Sequence, residues 1–274
     1  MEISPQLTLG PVHLTVADLE RSLDYYGAQI GLDVLAREDG RASLGAGGRE
    51  LLALVEEPGA RPADGYSGLF HFALLVPERA DLARWLAHAA RDRVALTGAS
   101  DHAVSEALYL RDPDGHGIEI YRDRPREQWE GRVATLMTTL PLDTDDLFSV
   151  LDDPATEPFD GLPDGTVMGH VHLRVAELPA TVDFYRRVGF ELMAEYGRQA
   201  AFLAAGGYHH HLGANTWESA GAPQPPPGYA GLRHATMILP DEAERDRVLE
   251  AAGADAPELV DPAGNRWVLE VATR

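Results

Sequence analysis

Four related segments recur along the 274-residue chain in the order A, B, A, B, and this repeat limits the possible folds more than any other feature. The first A segment, VHLTVADLERSLDYYGAQIGL from Val12, reads as a strand followed by a helix, and VHLRVAELPATVDFYRRVGFEL from Val171 repeats it. Leu19, Leu23 and Tyr26 recur as Leu178, Val182 and Tyr185, spaced i, i+4 and i+7 along one helical face. Gly31 and Gly189 close the two helices. The B segments start at Phe70 (FHFALLVPERADLARWLAHAA) and Arg233 (RHATMILPDEAERDRVLEAAG), and each leads to a DPxG turn, Asp112–Gly115 and Asp261–Gly264. Each module is expected to be a strand, a helix and several further strands that curl into half a barrel. The expected class is α+β: four βαβββ modules forming two half-open mixed β-barrels with helices outside. Residues 1–125 and 167–274 would form two domains of two modules each, joined by a connector rich in Pro, Asp and Gly over 126–166.

Composition excludes several kinds of chemistry. The chain has no cysteine, so thiolate nucleophiles, disulfides and sulfur-ligated metals are ruled out, and any metal must be held by nitrogen and oxygen. The formal charge is −21, which repels nucleic-acid phosphates. No apolar run is long enough to span a membrane, and the first residues, MEISPQLTLG, lack the pattern of a secretion signal; a cytoplasmic location is the expectation.

Alternation along the strands places the histidines. In the third module Val171, Leu173 and Val175 take one face, and His170, His172 and Arg174 the other. His13 repeats this phase in the first module and His71 in the second, and Glu119 stands opposite Ile118 and Ile120 beyond the first DPxG turn. Aliphatic residues are thus expected to pack outward against helices, with His and Glu facing the concave side. Two neutral imidazoles and one carboxylate leave coordination positions open, which suits non-haem Fe(II); Zn(II) or Mn(II) could use the same donors.

These modules resemble the vicinal oxygen chelate superfamily, and within it the extradiol dioxygenases of the catechol 2,3-dioxygenase kind. The specific part of the likeness is SDHAVSEALYLRDPDGHGIE, Ser100 to Glu119: a histidine, His102, then Leu108-Tyr109, then Asp112-Pro113-Asp114-Gly115, then Glu119. Ser100 departs from the residue usual in that family. Gly207-Tyr208-His209-His210-His211 resembles the family's strand with the acid–base histidine. The resemblance implies Fe(II)- and O2-dependent cleavage of a catechol-like aromatic next to its hydroxyls. It also implies metal ligands His71, Glu119 and a histidine of an A module, a catalytic His210, and Tyr109 and His102 as hydrogen-bond partners of the substrate. A small residue three positions after the catalytic histidine favours His210 before Gly213, though His211 before Ala214 also satisfies that rule.

Only the second module paired with the third completes this set. The first pair lacks the triple-histidine segment, and the last pair has Val268 where the glutamate should stand. The site is therefore expected between the two middle modules, with His172 as the first ligand and His13 as the alternative. Two other readings stay open: a glyoxalase-like isomerase or lyase, which usually needs a second carboxylate on its metal, and a metal-free protein that binds an aromatic compound. A homo-oligomer is compatible with the sequence and not required by it.

Overall fold

The computed structural model describes residues 1–273. The first module comprises β1 (Thr8–Val16), α1 (Leu19–Tyr25), β2 (Asp33–Glu38), β3 (Arg41–Ala46) and β4 (Arg49–Glu56). The second comprises β5 (Gly68–Leu75), α2 (Arg79–Asp92), β6 (Leu96–Asp101), β7 (Ser105–Arg111) and β8 (Gly117–Asp123). The connector carries α3 (Val133–Leu136), β9 (Leu140–Pro141) and α4 (Thr144–Phe148). The third module follows with β10 (Val167–Arg174), α5 (Leu178–Val188), β11 (Glu191–Tyr196), β12 (Ala200–Ala204) and β13 (Leu212–Asn215). The fourth has β14 (Gly231–Leu239), α6 (Glu242–Ala252), β15 (Glu258–Val260) and β16 (Arg266–Val271). It carries two strands after its helix instead of the expected three, because the chain between that helix and its DPAG turn is short.

The helix boundaries follow local chemistry. The Asp18 carboxylate accepts from the Arg21 N–H at the start of α1, and Glu78 and Asp81 cap α2 reciprocally. Gly31 and Gly189 take left-handed backbone conformations where the helical segments of the two A modules stop.

The strands form two curled mixed sheets, and each sheet draws one module from either half of the chain. Modules one and four make a seven-stranded sheet in the order β15-β16-β14-β1-β4-β3-β2. Modules two and three, with β9 of the connector at one edge, make a nine-stranded sheet in the order β11-β12-β13-β10-β5-β8-β7-β6-β9. The central pairings, β1 with β14 and β10 with β5, are antiparallel, so the two middle modules meet as the residue patterns required. Val12, Leu14 and Val16 on β1 and Val171, Leu173 and Val175 around β10 are fully buried in a core that includes residues of both sheets.

Two matching clamps join the sheets. Asp112 Oδ1 accepts from the Asp114 and His116 N–H groups at 3.0 and 2.8 Å, and Oδ2 accepts from Tyr26 Oη at 2.8 Å and lies 2.7 Å from His116 Nδ1. Asp261 repeats the arrangement with the Ala263 and Asn265 N–H groups, Tyr185 Oη at 3.1 Å and Asn265 Nδ2. The tyrosine that recurs in the A modules thus meets the aspartate of the DPxG turn in the B modules. Each clamp ties neighbours in sequence whose strands lie in different sheets.

Candidate metal centre and cavity

The site is built on one row of residues running across four strands. His170 on β10 is the partner of Ala73 on β5, Ala73 is the partner of Glu119 on β8, and Glu119 is the partner of Tyr109 on β7. The methyl of Ala73 leaves space between the imidazole and the carboxylate. The neighbouring row runs His172, His71, Gly117, Arg111. His71 leans from this row toward the first: its Nε2 lies 3.0 Å from Glu119 Oε2 and 3.3 Å from His170 Nε2, and His170 Nε2 lies 3.0 Å from the same oxygen.

The spacing of these three atoms is a test of whether a metal fits. Two ligand atoms each about 2.1 Å from one ion and set at right angles lie about 3 Å apart. The observed 3.0, 3.0 and 3.3 Å match that requirement. His71, Glu119 and His170 are all buried, and among the described residues they are the group of metal-type donors in mutual reach. The third donor in this group is His170, where the sequence reading put His172. Alternation sets both on the concave face, but the carboxylate shares its row with His170. His172 lies opposite His71 and Gly117 instead, its ring centroid 4.9 Å from that of His71. His13 lies in the other sheet, stacked on His234 at 4.0 Å, with Val268 where Glu119 has its counterpart.

Charge suits the centre to a cation. Burial alone would raise the Glu119 carboxyl, but the His170 and His71 imidazoles outweigh it and hold the group well below the carboxylate range. Burial lowers His170 and His172, against the pull of Glu119 on His170, and the histidine neighbours lower His172 further; the shift of His170 favours the neutral imidazole that ligation uses. His170 Nδ1 and His172 Nε2 are buried without a hydrogen-bond partner.

A cavity of about 540 Å³ opens over the donor group, a size that fits a small organic ligand. Phe70, Phe202, Trp217 and Met137 give it apolar walls. Alternation would send Phe70 outward with Phe72. It is instead the extra residue of a bulge, since β5 pairs His71 with His172 and then Leu69 with Leu173, and its ring lies 5.1 Å from that of His172. Trp217 lines the cavity; Trp129 packs at 5.4 Å against the His209 ring.

The polar groups converge from three sides. Tyr109 Oη lies 2.7 Å from His102 Nε2, and His102 Nδ1 lies 2.7 Å from the Thr138 carbonyl. A carbonyl only accepts, so Nδ1 carries the proton and Tyr109 donates to Nε2. Burial, reinforced by Glu119, pushes the Tyr109 hydroxyl well above its ordinary value. The connector, which the sequence suggested only as a joining segment, thus orients His102 and contributes Met137, Thr138 and Thr139 to the cavity wall. Of the triple-histidine run, His210 lines the cavity with its ring centroid 4.1 Å from that of His170. His209 turns to Asp123 and His211 to the Ala205 N–H.

The description Glyoxalase/Bleomycin resistance protein/Dioxygenase superfamily matches residues 8–120 and 167–267. The chain belongs to this superfamily. Within the superfamily, a catechol-2,3-dioxygenase from Bacillus subtilis (strain 168) is 43% identical over 249 residues, 88% of this chain and 85% of that protein. Solved structures carry the superfamily fold at lower identity. A protein from Bacillus subtilis strain 168 is 15% identical with a TM-score of 0.63, over 97% of this chain and 86% of its own. A glyoxalase I variant from Zea mays is 16% identical with a TM-score of 0.60, over 97% and 94%. His170, Asp123 and Thr138 are among the site residues that sequence reasoning left unassigned. A signal was present for the first alone, which shares the concave face with His172.

Proposed function

We propose that this chain is an extradiol ring-cleaving dioxygenase, acting on a catechol-like aromatic with O2 and holding Fe(II) between His71, Glu119 and His170. The observation that carries this reading is the three-atom donor face with 3.0–3.3 Å spacing, set under a cavity that also holds His210 and the Tyr109–His102 pair. Mn(II) or Zn(II) would take the same donors. A non-haem Fe(II) with open positions supplies the Lewis acidity and one-electron chemistry that oxygenation of a catechol requires. The protein supplies the rest. Phe70, Phe202 and Trp217 pack the aromatic ring and exclude water from it. His210 takes a hydroxyl proton from the substrate and returns it later, and Tyr109, its O–H given to His102, offers its hydroxyl oxygen as an acceptor for the substrate beside Glu119. The 43% identity to a catechol-2,3-dioxygenase supports the same reading. A glyoxalase-like isomerase fits less well, because the donor group among the described residues has one carboxylate.

The test is anaerobic loading with Fe(II), followed by catechol and air. A yellow ring-opened product with stoichiometric oxygen uptake is expected. No colour and no uptake across a panel of substituted catechols would overturn the proposal.

A further inference from the structure

His209 is completely buried, enclosed by Tyr208, Trp129 and Tyr121, with no edge toward the cavity. Both of its ring nitrogens are nonetheless occupied. Nε2 lies 2.7 Å from Asp123 Oδ1, and Nδ1 lies 2.8 Å from His210 Nδ1. The second Asp123 oxygen accepts from Tyr208 Oη at 3.0 Å, and Tyr208 Oη in turn meets Tyr121 Oη at 2.9 Å. The carboxylate is therefore held from two directions.

With a neutral His209 ring, the order of donors along these hydrogen bonds follows from the carboxylate. A carboxylate can only accept, so His209 carries its proton on Nε2, and in the neutral ring its Nδ1 is an acceptor. His210 Nδ1 must then donate, which leaves His210 Nε2, on the ring edge away from His209, as the bare nitrogen.

We infer that Asp123 and His209 are positioning residues that lock His210 in the tautomer whose free Nε2 serves the cavity. This rests on the reading of His210 as the acid–base group. The arrangement has a further consequence for its work. When His210 holds an extra proton on Nε2, its Nδ1–H still donates to His209, so the ring keeps one orientation whether it is about to take a proton or give one back. A carboxylate that fixes the tautomer of a histidine is a recurrent way of preparing a base, and here the effect passes through a second imidazole.

Two measurements test this. Long-range 1H–15N spectra of the metal-free, 15N-histidine-labelled wild type, with His210 assigned by His210→Gln, should show a protonated Nδ1 and a bare Nε2 on that ring. A proton found on Nε2 would overturn the inference whether or not the protein oxidises catechols. In the Fe(II)-loaded enzyme, His209→Phe keeps the aromatic packing and removes the acceptor. It is expected to lower kcat about 100-fold with KM changed by less than about threefold, the scale of a lost general base. His209→Gln restores an acceptor and should recover most of that loss. Wild-type kcat in an iron-replete His209→Phe protein would also overturn the inference. Failure of the wild type on every catechol would instead strike the proposed activity and leave the spectrum to decide the tautomer.

Discussion

Glu119 is buried in the nine-stranded sheet, and a buried carboxylate persists only where donors or positive charge face it. Two imidazole nitrogens lie 3.0 Å from one of its oxygens, and the group stays ionised despite its burial. Replacing it with the isosteric amide, Glu119→Gln, should leave the fold in place and weaken Fe(II) binding by at least about 100-fold, read as iron retained after gel filtration. Stoichiometric iron in that variant would remove Glu119 from the ligand set. At this scale the sequence spoke clearly on residue type and face but not on neighbour. His170 and His172 share the concave side, and only the pairing of β10 with β5 decides which imidazole stands level with the carboxylate. That pairing joins residues about 100 positions apart, beyond the reach of any local pattern.

Strands and helices were the most legible elements, because burial on one side imposes periods of two and 3.6 on the residues. What escaped were interruptions of the period. The partner register skips Gly169, which makes it the extra residue of a bulge just before His170, and Phe70 is the extra residue of another. Nothing in their flanking sequence announces either one. Gly213 on β13 has a different demand. A Cβ built there would lie 2.7 Å from Cγ and Nδ1 of His172, so the His172 ring rests directly on the glycine backbone. The small residue three places after His210 therefore makes room for a second histidine. Gly213→Ala should push that ring toward the cavity, costing about 1–3 kcal/mol in urea unfolding and raising KM for catechol. Unchanged stability and KM would mean that the ring moves aside without consequence.

Across the whole molecule, the A-B-A-B order conceals an exchange. Modules adjacent in sequence are joined by the Tyr26–Asp112 and Tyr185–Asp261 clamps, whereas the sheets join the first module to the fourth and the second to the third. The sheet exchange was legible only through chemistry, since the middle modules alone complete the expected set of site residues. The clamps were legible only as two separate repeats. Tyr26→Phe leaves Asp112 one donor short and should cost about 1–2 kcal/mol. Tyr185→Phe should cost more, because Trp267 Nε1–H, buried and 2.8 Å from Tyr185 Oη, loses its acceptor as well. Equal midpoints for the two variants in urea would show that the tryptophan contact adds nothing. The exchange also bears on biosynthesis. His71 and Glu119 leave the ribosome well before His170, and β1 and β5 wait with bare edges until β14 and β10 arrive to pair with them. A nascent chain halted within the connector therefore offers two of the three proposed ligands and exposed strand edges. Capture of the ion waits for β10, past the middle of the chain, and the edge of β1 stays bare until β14 emerges near the end of synthesis.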